Sequence, residues 1–142
     1  MTDVVIVGAG IVGAACAYEL ARAGATVEVI DQSIPGGGAT AAGMGHLVDL
    51  DDPLSRYSVT LWHELAKELP KQAEFWNCGT LWIAANDAEM EEARNKPGAQ
   101  LLTAKELYQA EPHLRQGLAG GAISPGDAVV YAPVATRWLL EQ

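Results

Sequence analysis

The chain has 142 residues, of which 49% are hydrophobic and 19% are charged. This length and composition indicate one folded domain, or a piece of a larger one, rather than a disordered chain. The formal net charge of −9 argues against a nucleic-acid partner, because binding phosphates needs a basic surface that displaces counterions. The two cysteines provide neither a disulfide framework nor metal-site spacing, which favours a reducing, cytoplasmic compartment and predicts no bound metal.

The N-terminal segment carries the pattern of a strand, a glycine-rich turn and a helix. Val4–Val7 is a β-branched run of the kind that forms a parallel strand buried on both faces. Gly8, Gly10 and Gly13 follow with the spacing G-x-G-x-x-G. The first glycine permits a tight turn, the second leaves room for a pyrophosphate, and the third allows the next helix to pack closely. That helix, over 11–23, directs its first N–H groups at the pyrophosphate, so the pattern predicts dinucleotide binding.

The same segment does not have the properties of a membrane span or a signal peptide. Its uncharged run, 4–18, is shorter than the roughly 20 residues that a span needs. No Lys or Arg precedes the run, so the basic start of a signal peptide is missing. Membrane association is therefore not indicated.

Asp31 ends the second predicted strand, over 26–30, and lies 18 residues after Gly13. A carboxylate at this place in the fingerprint accepts hydrogen bonds from the hydroxyls of the adenosine ribose. It would also repel a 2′-phosphate, which disfavours NADP.

The loop over 34–45 holds five glycines, several alanines and no charged residue. A flexible linker would explain the glycines, but it would not need Ala39, Ala41, Ala42 and Met44. The composition therefore favours a backbone that lies close against a flat or bulky group.

The strings "GAGIVGAACAYELARAGATVEVID" and "GGGATAAGMG" together resemble the FAD-dependent D-amino acid oxidase superfamily. The likeness is to its branch of glycine oxidases, sarcosine oxidases and D-hydroxyproline dehydrogenases. Looser likenesses continue through "NCGTLWIAANDAEMEEA", "LLTAKELYQAEPHL" and "GAISPGDAVVYAPVATRWLL". The second loop is absent from NAD-dependent Rossmann enzymes, so the resemblance implies FAD.

The resemblance also implies which residues contact FAD, in addition to Gly8, Gly10 and Gly13. The implied contacts are backbone N–H groups at Ile11 and Val12, the adenosine ribose at Asp31 and Gln32, the phosphates at Gly38, Ala39 and Thr40, and the flavin at Ala42, Gly43 and Met44.

The rest of the chain predicts further helices and strands. A helix over 53–69 places Leu54, Tyr57, Leu61, Leu65 and Leu69 on one face. Capping boxes begin helices after Asn86 and Thr103, and strands are expected over 79–85 and 117–124, with a last helix from Pro133.

The predicted fold is α/β: the N-terminal part of a Rossmann-like FAD-binding fold with the beginning of an α+β substrate domain. The expected divisions are an FAD-binding part over 1–78, the start of a substrate domain over 79–124, and a return to the FAD-binding domain over 125–142.

Several aromatic residues and histidines are weaker candidates for a role in the site. His46 follows the flavin loop and is the histidine expected nearest the flavin, whereas His63 and His113 fit solvated helix and turn positions. Trp76 and Trp82 fit core packing better than a substrate pocket.

The resemblance implies an oxidoreductase that oxidises the C–N bond of a small amino or imino acid by hydride transfer to flavin N5. Substrates of the glycine, sarcosine, D-amino acid and hydroxyproline types all fit, as do oxidase and dehydrogenase chemistry. The alternatives are an NAD-dependent dehydrogenase and a non-catalytic FAD-binding fragment or subunit.

The last helix lacks a C-cap, so we expect an N-terminal fragment that does not turn over without the C-terminal part of its parent chain. No catalytic acid, base or substrate-binding Arg can be named within 1–142.

Overall fold

The computed structural model of the protein describes residues 1–96 and 98–142, which form two compact units. The first unit comprises Met1–Leu47, Trp62–Trp76 and Val129–Gln142, and the second comprises Val48–Leu61 and Asn77–Ala128. In chain order the elements are β1 (Val4–Val7), α1 (Ile11–Arg22), β2 (Val27–Ile30), α2 (Ala39–Ala42), β3 (His46–Leu47), α3 (Pro53–Leu65), a 3₁₀ helix (Lys71–Ala73), β4 (Thr80–Ala84), α4 (Asp87–Arg94), β5 (Gln100–Thr103), α5 (Ala104–Ala110), β6 (Gly120–Ser124), β7 (Ala128–Val129) and α6 (Ala132–Glu141).

The first unit begins with a parallel βαβ arrangement. β1 and β2 pair in parallel, with Val4 opposite Val27, and α1 forms the connection between them. Ile6 faces α1, whereas Val5 and Val7 on the other face are 54% and 82% exposed. The expectation that this strand is buried on both faces is therefore wrong for this structure. α1 covers one face of the β1–β2 pair, and the two valines lie on the opposite face.

The core of the first unit gathers residues that are far apart in sequence. Ala73, Val130 and Ala135 are its buried centre. The side chains packed against this centre are Leu47, Trp62, Leu69, Phe75 and Val134. α6 also packs on α1, where the rings of Tyr18 and Trp138 lie 6.1 Å apart. This packing brings the last helix of the chain beside the first.

The second unit is built on an antiparallel sheet with the order β4–β6–β5. β6 and β4 approach each other closely at Gly121, where a Cβ would collide with the carbonyl oxygen of Trp82. The close approach therefore needs a glycine at this position. Leu107 of α5 is fully buried, and α5 packs on β6. The strand β5 is missing from the sequence-based expectations, since its four residues include a single pair of adjacent leucines between polar ends.

Both predicted helix caps of the second unit are present. The Asn86 side chain accepts a hydrogen bond from the Glu89 N–H at 3.0 Å and begins α4. Thr103 and Glu106 form a reciprocal capping box at the start of α5. These caps bond within four residues, so the local sequence is enough to predict them.

The helix predicted over 53–69 ends as an α-helix at Leu65. Leu54, Tyr57 and Leu61, predicted on one apolar face of this helix, are 76%, 61% and 43% exposed. Residues 48–61 belong to the second unit by their contacts, although the sequence pattern groups them with 1–78. Within 1–96 and 98–142, no helix is long and apolar enough to cross a membrane.

Candidate functional site

The glycine-rich turn joins β1 to α1 in the predicted conformation. Gly8 has φ +109°, a value that favours glycine, and its N–H donates to the Ile30 carbonyl at 2.8 Å. A Cβ at Gly13 would collide with the Gly8 carbonyl oxygen and lie 3.3 Å from Cγ2 of Ile6. The third glycine is therefore needed for α1 to pack against β1.

The second glycine-rich loop docks on the start of α1. The Ile11 N–H donates to the Thr40 hydroxyl at 3.0 Å, and a Cβ at Gly10 would lie 3.2 Å from that hydroxyl oxygen. The Gly36 N–H donates to the Ala9 carbonyl at 2.8 Å, which makes a second link between the loop and the turn. Both loops thus meet at a helix N-terminus, where the dipole and first-turn N–H groups favour an anion.

Asp31 lies at the end of β2 and holds the same turn from the other side. Its Oδ2 accepts from the Ala9 N–H at 2.7 Å, and its Oδ1 accepts from the Ser33 N–H at 2.8 Å. These backbone hydrogen bonds, that of Ala9 foremost, lower the pKa of the Asp31 carboxyl below its ordinary value of 3.8. The residue is exposed, and each carboxylate oxygen keeps capacity for a further donor such as a ribose hydroxyl.

A cavity of about 650 Å³ opens beside the meeting point of the two loops, within the first unit. Seven of the residues predicted to contact the cofactor line it: Gly10, Ile11, Val12, Ala39, Thr40, Gly43 and Met44. Six others lie outside the lining: Gly8, Gly13, Asp31, Gln32, Gly38 and Ala42. Gly8 and Gly13 belong to the packing of the turn, and Asp31 with Gln32 follows the end of β2.

The remainder of the lining consists of residues that the sequence-based site does not include, namely Gly45, His46, Leu47, Trp62, Val130 and Ala132. Gly45 has φ +68°, and a Cβ there would collide with the Val130 carbonyl oxygen. The Val130 N–H donates to the Gly45 carbonyl at 2.9 Å. A glycine two residues after Gly43 was a usable signal for this close approach. Nothing local in the sequence connects Trp62 or Val130 to the loop.

Among the described residues that line this cavity, His46 is the one with an ionisable side chain. His63 instead packs edge-on against Phe75, with ring centroids 5.5 Å apart. Trp76 is 69% exposed, and Trp82 donates to the Ser124 hydroxyl at 3.0 Å in the second unit.

The lining is chemically divided. Part of it is the first turn of α1 and the Thr40 hydroxyl that accepts the Ile11 N–H, and part of it is the apolar side chains of Met44, Leu47 and Trp62. This division suits a ligand with a phosphate group and an aromatic ring system. Within the part of the chain that the structure describes, no group of three or more His, Cys, Asp or Glu could hold a metal ion.

Comparisons with known proteins agree with this chemistry. A family model described as FAD dependent oxidoreductase matches residues 3–142. A curated glycine oxidase from Geobacillus kaustophilus is 30% identical over an alignment 152 residues long, which covers 92% of this chain and 40% of the relative. The solved glycine oxidase from Bacillus cereus is 26% identical with a TM-score of 0.82, over 99% of this chain and 44% of that one. A solved iminodiacetate oxidase from a Chelativorans species is 34% identical with a TM-score of 0.72, over 97% of this chain and 43% of that one.

These comparisons confirm the expected α/β architecture along nearly the whole chain. They also give its extent relative to other proteins, since it spans 40% of the length of the curated glycine oxidase.

Proposed function

Because the chain belongs to the family of FAD-dependent oxidoreductases, as its sequence predicts, we propose that its first unit binds FAD at the junction of the two glycine-rich loops. The observation that carries this proposal is the hydrogen bond from the Ile11 N–H to the Thr40 hydroxyl at 3.0 Å, beside the cavity of about 650 Å³. It joins a dinucleotide fingerprint to the loop that distinguishes FAD from NAD. The NAD-dependent alternative loses its support, because the matching family uses FAD.

We propose that the contacts predicted from sequence hold FAD in this site. The glycine-rich turn and first-turn N–H groups of α1 face the pyrophosphate, and the Asp31 carboxylate faces the adenosine ribose. The full set consists of Gly8, Gly10, Ile11, Val12 and Gly13 on the turn, Asp31 and Gln32 after β2, Gly38, Ala39 and Thr40 at the phosphates, and Ala42, Gly43 and Met44 at the flavin.

For the whole protein we propose oxidation of the C–N bond of a small amino or imino acid. The relatives named glycine oxidase and iminodiacetate oxidase support an amine substrate. When bound, FAD would supply the two-electron acceptor for this oxidation, with hydride transfer to flavin N5, and the substrate, which also loses its amine proton, would become an imine that water hydrolyses. In this chain the residues of the first unit bind and orient the cofactor.

We further propose that the second unit begins the substrate domain and that turnover needs residues beyond those present here. The chain covers 40% of the curated glycine oxidase that it matches, and its cavity lining holds one ionisable side chain, His46, among the described residues. The C-terminal part of a parent chain is therefore the proposed partner. A cytoplasmic location stays a prediction that rests on cysteine usage.

The test is a titration of the chain with FAD, followed by visible absorbance and flavin fluorescence, with NAD in parallel. We expect saturable binding of FAD and no binding of NAD. Lys105→Ala, an exposed change in the second unit, is the matched control and should leave FAD binding unchanged. Binding of NAD in place of FAD would refute the proposal.

A further inference from the structure

Of the four tryptophans of the chain, Trp62 is the one found in the cavity lining that the structure describes. It lines the cavity beside the two loops, and it packs against the buried centre formed by Ala73, Val130 and Ala135. Its indole is half-buried and held by this packing, so the wall that it forms exists before any ligand binds.

The other three tryptophans lie elsewhere. Trp76 is 69% exposed and forms a backbone bridge with Val129. Trp138 packs on Tyr18 of α1, and Trp82 belongs to the sheet of the second unit. None of the three is in the cavity lining that the structure describes.

The surroundings of Trp62 differ from those of the residues that bond to the glycine-rich turn. Asp31 and Thr40 contact the N–H groups of Ala9 and Ile11, so both bond to the same glycine-rich turn. Trp62 and Leu47 instead pack against the same buried centre, so they form an apolar part of the cavity wall where a ring system gains by leaving water.

We propose that Trp62 is a cofactor-contact residue whose indole packs against the flavin ring system of FAD. This inference rests on the proposed function, because it needs FAD to bind. Aromatic ring systems attract one another beyond the area that they bury, so an indole in this wall favours the flavin ring system as its neighbour.

The first test uses the emission of bound FAD excited directly in its visible band. An indole in contact with the flavin quenches that emission by electron transfer, so we expect brighter bound flavin in Trp62→Phe than in the wild-type chain. Trp76→Phe is the matched control and should leave the emission of bound flavin unchanged. Bound flavin that is equally bright in the wild type and in Trp62→Phe would overturn the proposal.

A second test needs no change at Trp62 itself. The chain is labelled with 5-fluorotryptophan, and the ¹⁹F resonance of Trp62 is identified from the Trp76→Phe, Trp82→Phe and Trp138→Phe variants. Ring currents of a stacked flavin should move this resonance more than the others when FAD is added. ADP, which lacks the flavin, should compete with FAD yet move it much less.

The outcomes separate the two proposals. If the wild-type chain binds no FAD, the proposed function fails. If it binds FAD while the Trp62 resonance stays in place, or if ADP moves that resonance as far as FAD does, the inference about Trp62 fails and the site for FAD stands.

Discussion

Thr40 shows how a single side chain can organise the site. Its hydroxyl accepts the Ile11 N–H at 3.0 Å and thereby attaches the second loop to the start of α1. An unpaired N–H at this helix end would otherwise need water or a ligand.

We therefore expect Thr40→Ala to weaken FAD binding by about 5- to 10-fold, because a hydrogen bond of this kind contributes roughly 1 kcal/mol. Thr40→Ser keeps the hydroxyl and should bind FAD nearly as well as the wild type. Absorbance titrations of the three proteins provide the measurement. Equal losses in both variants would mean that the methyl group, and not the hydroxyl, matters.

The lowered pKa of Asp31 leads to a prediction about the stability of the fold in acid. Backbone hydrogen bonds, first that of Ala9 and then that of Ser33, lower its pKa below 3.8 in the folded chain. A group whose pKa is lowered on folding stabilises the fold above its unfolded value, and this contribution is lost as the pH falls through the folded value. The loss therefore belongs below pH 3.8.

Thermal unfolding of the ligand-free chain as a function of pH measures this effect. Below pH 3.8 the unfolding midpoint of Asp31→Asn should fall less steeply with pH than that of the wild type. Glu68→Gln, which removes an exposed carboxylate, is the control. Asp49, Asp52 and Glu106 also have lowered pKa values, so the comparison uses the difference between variants. Parallel pH curves for Asp31→Asn and the wild type would contradict this account.

At the scale of elements, α3 and α5 differ in how their apolar residues are used. Leu107 of α5 is fully buried, whereas Leu54 of α3 is 76% exposed despite its place on a regular apolar face. Periodicity identifies the face of a helix, but the neighbouring elements decide whether that face is covered.

We expect Leu107→Ala to lower the free energy of unfolding by about 2–5 kcal/mol, the usual cost of truncating a buried leucine. Leu54→Ala should cost within about 0.5 kcal/mol, as substitutions on an exposed surface do. Urea denaturation of both variants, followed by far-UV circular dichroism, gives the two values. A large loss for Leu54→Ala would show that its face is covered in solution.

At the scale of the whole molecule, the chain consists of two compact units, and the residues that line the proposed FAD site all belong to the first. The cofactor should therefore stabilise the folded protein by mass action. At a free FAD concentration of 100 times Kd we expect about 2.7 kcal/mol of added stability. Differential scanning fluorimetry with increasing FAD should show a rising midpoint, while NAD should leave it unchanged. A midpoint that FAD does not move, at concentrations where absorbance shows binding, would indicate that FAD also binds the unfolded chain.

The local features of this protein were predictable from sequence because their causes are local. The turn at Gly8, the packing of Gly13 and the caps at Asn86 and Thr103 each depend on backbone conformation or contacts within a few residues. The composition of the second loop indicated a close approach to a flat or bulky group, and its resemblance to a known family implied that the group is FAD. The local features indicated the α/β class, and the resemblance gave the family.

Other features depended on contacts between distant parts of the chain. Trp62 and Val130 reach the same cavity as Gly43 only because α3 and the segment before α6 pack around one core. No pattern within a short window of sequence predicts that these residues share a cavity, since Gly43, Trp62 and Val130 are far apart along the chain. The exposure of Leu54 had the same origin.

The sequence by itself thus determined the glycine-rich turn and the helix caps, because backbone sterics and short-range hydrogen bonds act on neighbouring residues, and its resemblance to a known family implied FAD. Only the tertiary structure decided that Trp62 forms a wall of the cavity and that Val7 and Leu54 are exposed. Burial is a property of packed surfaces, and a surface is covered only when a second element is brought against it.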